Sequence, residues 1–217
     1  MIDTTSDRTA KRRKLWLQAG LGAISGAAGM TLVLWLLEGR DLPEPDGSTI
    51  VAAGVAVIYV LMGVLVGLGA LFPAAGAKLL NVQDRDEVLE QRGMLISSAV
   101  ACALLGTAML VLVFATTEAA LLGPRAAFWL FAGVLAVTTV VSLRQFARHD
   151  ELMRALIQES VALFGYGASV VLVLWGAGAA AALVTAPQPL DLISLSLGGI
   201  LAATFVAIWR RGMMQLD

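Results

Sequence analysis

Six stretches of this chain, residues 15–37, 50–71, 94–115, 126–143, 161–184 and 192–209, carry no Asp, Glu, Lys, Arg or His. Crossing the hydrocarbon of a bilayer takes about 20 mostly apolar residues in a helix, and each stretch reaches or nearly reaches that length. Inside lipid a single segment can satisfy its own backbone N–H and C=O groups only as a helix. The chain is therefore read as all-α, a polytopic membrane protein of six transmembrane helices grouped as three hairpins. The composition agrees, with 59% hydrophobic and 14% charged residues where a soluble domain carries roughly 25% charged. Three segments follow: a basic N-terminal segment 1–14, a transmembrane domain 15–209 and a C-terminal tail 210–217. The first apolar stretch follows KRRK as a signal peptide would, but it is longer than the usual h-region and lacks a small-x-small cleavage site, so it is expected to be a retained helix.

Basic residues resist translocation and set orientation. With the N-terminus inside, the cytoplasmic side holds thirteen Lys and Arg, against Arg40 and Arg125 outside. Both termini are expected in the cytoplasm of a cell whose inner membrane the protein crosses. Trp16, Trp35, Trp129 and Trp209 fall at span ends, where indole prefers the headgroup region; Trp175 falls at mid-depth by this reading and is expected to pack. Gly22 with Gly26, Ser25 with Gly29, and Gly63 with Gly67 stand four apart, a spacing that lets helices approach closely. Packing within the bundle is favoured over a homo-oligomer built on the same faces.

Much expected chemistry is missing. Proton relays and ion pathways place ionisable groups within the membrane, and no predicted span holds one. Thr138 and Thr139, Ser97 and Ser98, and Gly198 and Gly199 are read as interhelical hydrogen bonds or packing notches. One His and one Cys supply no metal-ligand constellation, no nucleotide-binding or nucleophile motif is present, and no cofactor is implied. Cys102, within an apolar run, is read as a small buried hydrophobe and His149 as a solvated loop residue. The N-terminal RTAKRRK is a topology and anionic-lipid signal, and direct nucleic-acid binding is not expected.

Charge concentrates in two predicted cytoplasmic connections, 72–93 and 144–159, each with an Asp-Glu pair before the next span: Asp86-Glu87 and Asp150-Glu151, 64 residues apart. Asp84 and Glu87 have the spacing of a capping box. Asp150 and Arg154 are expected to pair on one helical face, and Glu159, at the threshold of a span, needs a partner or water.

The segment DELMRALIQESVALFGYGASVVLVL, residues 150–174, and in outline DRDEVLEQRGMLISSAVACALLG, residues 84–106, resemble a group of small uncharacterised bacterial membrane proteins with an Asp-Glu pair, a basic residue and a second acid before a small-residue-rich span. Members are often encoded beside small helix-turn-helix regulators. The resemblance implies a non-enzymatic membrane protein whose cytoplasmic loops bind and regulate such a transcription factor. The positions it points to are Asp150, Glu151, Arg154 and Glu159, with Asp86, Glu87, Glu90 and Arg92 as their counterpart. Residues 78–92 sum to one negative charge, a surface that would attract a basic DNA-binding protein. A small-solute transporter or exporter, and an accessory subunit of a larger membrane complex, are the alternatives.

Overall fold

The computed structural model describes residues 26–31, 35, 46–73, 89, 91–115 and 120–212. Five long helices cover most of these: α1 (Gly47–Leu71), α2 (Arg92–Phe114), α3 (Pro124–Phe146), α4 (Glu151–Ala180) and α5 (Pro189–Arg210). All five are long and apolar enough to cross a membrane, and no strand occurs among the described residues. Residues 26–31 are helical as well, within the first predicted span; the rest of that span, except the helical Trp35, lies outside the described residues.

The helices start where their sequences say they should. Asp46 caps α1, its Oδ1 accepting from the Thr49 backbone N–H at 2.9 Å. Hydrogen bonds from the Thr49 side chain and backbone hold the Asp46 carboxyl below its usual pKa. Asp150 caps α4 in the same way, accepting from Met153 N at 3.0 Å. Pro124 and Pro189 open α3 and α5, where a missing N–H costs nothing, and at α5 Asp191 reaches back to the Gln188 N–H at 2.8 Å.

The core is the α1–α2 pair, and small residues make it. A Cβ on Gly63 would lie 2.6 Å from the Ala103 nitrogen and 2.7 Å from the Ala99 oxygen; one on Gly106 would lie 2.6 Å from the Ala56 oxygen. The two backbones thus touch at two levels in antiparallel register. Ala52, Ala53, Ala56, Met109 and Val113 are buried along the same seam, with Phe131 of α3 against them. Gly67 is looser, at ordinary contact distance from Ala99. The Gly63 face is therefore spent inside the bundle. Gly29 packs on Val57, whereas Gly26 meets no described neighbour; Gly22 and Ser25 lie outside the described residues.

Around this core, α3 packs on α2, α5 on α1 and α4 on α5. The Tyr59 hydroxyl donates to the Leu197 carbonyl at 3.0 Å, tying α1 to α5 midway along both. Gly198 admits Val55, and Gly199 admits the Phe164 ring, so these two glycines are packing notches. The outward faces of α3 and α4 are apolar, with Trp129, Val137, Leu143, Tyr166, Val173 and Leu174 all mostly exposed. A patch of that extent is untenable in water and ordinary in lipid.

Two sequence expectations change here. The second connection is not a sixteen-residue loop: α3 runs to Phe146 and α4 starts at Glu151, leaving only the turn 147–150. Hydropathy marks where hydrocarbon begins, and α4 continues ahead of that point because Asp150 caps it and Leu, Met, Arg, Ala, Gln and Glu all favour helix. At 30 residues α4 is about 45 Å long, half as long again as the hydrocarbon is thick. Trp175 lies in the last two turns of α4, because the helix stops at Ala180 rather than running to residue 184. Its ring N–H donates to the Thr185 carbonyl at 2.8 Å across the α4–α5 turn.

That turn carries a testable strain. Leu183 N donates to Gly178 O at 2.9 Å and Ala182 N to Ala179 O at 3.0 Å, a Schellman closure whose left-handed position is occupied by Ala182 at φ 56°. A Cβ in that conformation costs about 1–2 kcal/mol, and glycine avoids it. Ala182→Gly should raise the thermal unfolding midpoint in detergent, while Ala181→Gly, on the preceding residue at φ −82°, should not.

Candidate functional site

Two features stand out at the end of the bundle where α2 and α4 begin and α3 and α5 finish. The first is a cross-braced polar platform. Arg154 does not pair with Asp150. Its guanidinium donates to the Ala147 carbonyl at 2.7 Å, satisfying an orphan carbonyl at the C-terminus of α3 where a cation is also favoured by the helix dipole, while the Asp150 carboxylate is taken up by its cap. Glu159 has the partner its position demanded: Arg211 Nε at 2.8 Å and Arg210 at 3.5 Å. These bonds clamp α4 to α5 near the membrane surface. Gln145 Nε2 donates to Ser97 Oγ at 2.6 Å and binds α3 to α2 one level deeper. Asp150, Arg154 and Glu159 are thus occupied in holding the helix ends together.

Glu151 and Arg92 remain exposed on the same end, beside Arg144 and Arg148. Asp86, Glu87, Glu90 and the Asp84–Glu87 capping box lie outside the described residues. The sequence did not disclose Arg210 and Arg211 as the partners of Glu159, since 51 and 52 positions separate them.

The second feature is a cleft of about 610 Å³. α3 and α4 leave their short turn without packing on each other as α4 packs on α5. The floor between them is laid by Tyr59 of α1 with Cys102 and Leu105 of α2, and the far wall by Ile157, Val161, Leu197 and Ile200. One wall is polar. Thr138, Thr139, Ser142, Gln145 and His149 all line the cleft, at steps of three and four residues that keep them on one face of α3 and its continuation. His149 is half-buried in this wall rather than solvated, a correction imposed by the early start of α4, which brings the turn against the bundle. Thr138 bonds neither α2 nor α4: its hydroxyl back-bonds to Val134 O at 2.8 Å and Leu135 O at 3.0 Å. Cys102 is only partly buried and faces this cleft. The stripe was legible as a polar row on an otherwise apolar span, but treating Thr138 and Thr139 as an isolated pair concealed it.

No protein-family model, curated protein or solved structure matches this chain.

Proposed function

We propose that this is a non-enzymatic, multi-pass protein of a bacterial inner membrane, with six spans in three hairpins and both termini in the cytoplasm, whose cytoplasmic end binds and regulates a partner. The partner that fits is a small helix-turn-helix transcriptional regulator, as the resemblance at residues 150–174 implies. The observation that supports this most is the continuity of α4. Its first turns are polar and lie beyond the predicted span, and the same unbroken helix crosses the membrane. Whatever binds at Glu151 is mechanically joined to the intramembrane bundle.

Within this reading the platform residues divide by role. Asp150, Arg154 and Glu159 position α4, and Glu151 and Arg92, with Asp86, Glu87 and Glu90 of the preceding connection, make the contacts. Acidic side chains there compete with DNA phosphate for the Arg and Lys of the regulator. The test is affinity purification of the full chain from its native host in mild detergent, comparing wild type with Glu151→Lys. A DNA-binding protein that co-elutes with wild type, and whose recovery falls at least tenfold with the variant, supports the proposal. Recovery of no such protein, or equal recovery with both, overturns it.

The cleft favours a second reading, movement of a small solute. Substrate-dependent flux into proteoliposomes would establish that reading, since a regulatory anchor carries none.

A further inference from the structure

We propose that the cleft between α3 and α4 is a binding site for one single-chain, electrically neutral amphiphile whose head bears several hydroxyl or carbonyl groups, a monoacylglycerol in chemical type.

Polar side chains on a lipid-contacting face are unfavourable unless they are bonded. α3 has a cheap way to satisfy a hydroxyl, back-bonding to its own helix, and Thr138 uses it. The Thr139 and Ser142 hydroxyls and the His149 ring have no hydrogen bond among the described residues, and Gln145 spends its amide nitrogen on Ser97 with its carbonyl oxygen left over. Four groups able to donate or accept are therefore ranked along one wall over about ten residues, or roughly 15 Å of helix. Bulk acyl chains bond none of them.

The opposite wall and floor set the rest of the ligand. Leu105, Ile157, Val161, Leu197 and Ile200 present only hydrocarbon, so the molecule has an apolar part lying beside its polar one. The volume is that of a single small-ligand site. Charge decides the head: among the described residues no Asp, Glu, Lys or Arg lines the cleft, and Arg144 falls on the far side of α3, about 200° around the helix from Ser142 at 100° per residue. An ionised head would lie against neutral dipoles with no counter-charge, whereas a polyol or ester head matches alternating donors and acceptors. The larger polar groups of the wall, the Gln145 amide and the His149 ring, stand at the turn, so the head lies towards the end carrying Arg92 and Glu151 and the tail points to Tyr59 at mid-span. Entry is from the bilayer, between the diverging helices.

The test uses the full chain in phosphatidylcholine nanodiscs with a monoacylglycerol carrying a photoreactive diazirine in its chain. Expected are saturable labelling of one equivalent, crosslinks confined to the residues of the cleft with Tyr59, Leu105 and Leu197 among them, and displacement by excess unlabelled monoacylglycerol. The double variant Thr139→Val with Ser142→Ala should weaken binding about tenfold, from the loss of two neutral hydrogen bonds, and Val137→Ala on the outward face should not alter it. Elution as a single species with unchanged helical content establishes that the variants fold; Ser142→Ala alone, with a several-fold loss, serves if the double variant does not. Labelling that never saturates, or that spreads along the outward faces of α3 and α4, means ordinary lipid contact and overturns the proposal. Equal displacement by a fatty acid or lysophosphatidylcholine overturns the neutral head, equal displacement by diacylglycerol overturns the single chain, and undiminished binding by the variants overturns the role of the stripe. Binding is read on the protein alone, so failure to find a regulator leaves this result standing.

Discussion

Gly106→Leu should leave the chain unable to form its α1–α2 core. The added side chain has nowhere to go, because a Cβ at 106 already lies 2.6 Å from the Ala56 carbonyl oxygen and 2.8 Å from the Val60 nitrogen, and backbone cannot rotate aside as a side chain can. Even Gly106→Ala or Gly63→Ala forces the helices apart, at a cost of about 1–3 kcal/mol for overpacking. The separation also forfeits van der Waals contact along the whole seam, which matters more in lipid than in water because no hydrophobic push holds helices together there. The leucine variant should exceed that range and yield aggregated protein, while Gly63→Ala and Gly106→Ala should lower the thermal midpoint in detergent. The control is Gly133, on α3, where an added Cβ meets nothing within 4 Å. Gly133→Ala should be neutral or gain up to about 1 kcal/mol from better helix propensity. Equal effects at 106 and 133 would mean that the α1–α2 approach is not the structural core.

Glu159→Lys should produce the second large effect. It replaces the one acid between Arg210 and Arg211 with a third cation, and both Glu159 and Arg211 are only about a quarter exposed. A charge-assisted bond of this geometry contributes on the order of 1–2 kcal/mol once partial exposure is allowed for. Reversal adds repulsion to that loss. Because Glu159 clamps α4 to α5, the damage should appear as faster amide exchange in the first three turns of α4 rather than throughout the bundle. The pair Glu159→Arg with Arg211→Glu should recover part of the loss, and Glu151→Lys, on an exposed residue of the same helix, should change stability by less than about 0.5 kcal/mol.

The contrast between these two glutamates shows how far sequence reasoning reaches. Five of the six apolar stretches became helices that could cross a membrane, because length and hydropathy are properties of a segment alone. Gly63 was visible as a packing glycine for the same reason. Gly106 was not: its partners on the facing helix are Ala56 and Val60, which leave no mark in a hydrophobic run. Helix boundaries were misplaced where the polar start of α4 was taken for loop, since hydropathy detects hydrocarbon and not hydrogen bonding. That error put His149 in solvent, and a second one, running the span on to 184 where the helix stops at Ala180, put Trp175 in its middle. Glu159 was recognised as needing a partner, but which partner depends on how α5 folds back, a long-range fact. Asp150 and Arg154 were singled out correctly as unusual and assigned the wrong bond, because the C-terminal carbonyl of α3 competes for the guanidinium and lies closer. The cleft is the clearest omission, since Thr139, Ser142, Gln145 and His149 have helical spacing but become one wall only when α4 diverges from α3.

The regulatory reading depends on the α3–α4 turn lying on the cytoplasmic side of the membrane. Cysteine accessibility in intact cells tests this directly, in a Cys102→Ser background that removes the only native thiol. With a membrane-impermeant maleimide, Gln188→Cys should label in intact cells and Arg148→Cys only after the membrane is permeabilised. Labelling of Arg148→Cys from outside, with Gln188→Cys protected, would invert the protein and contradict the account.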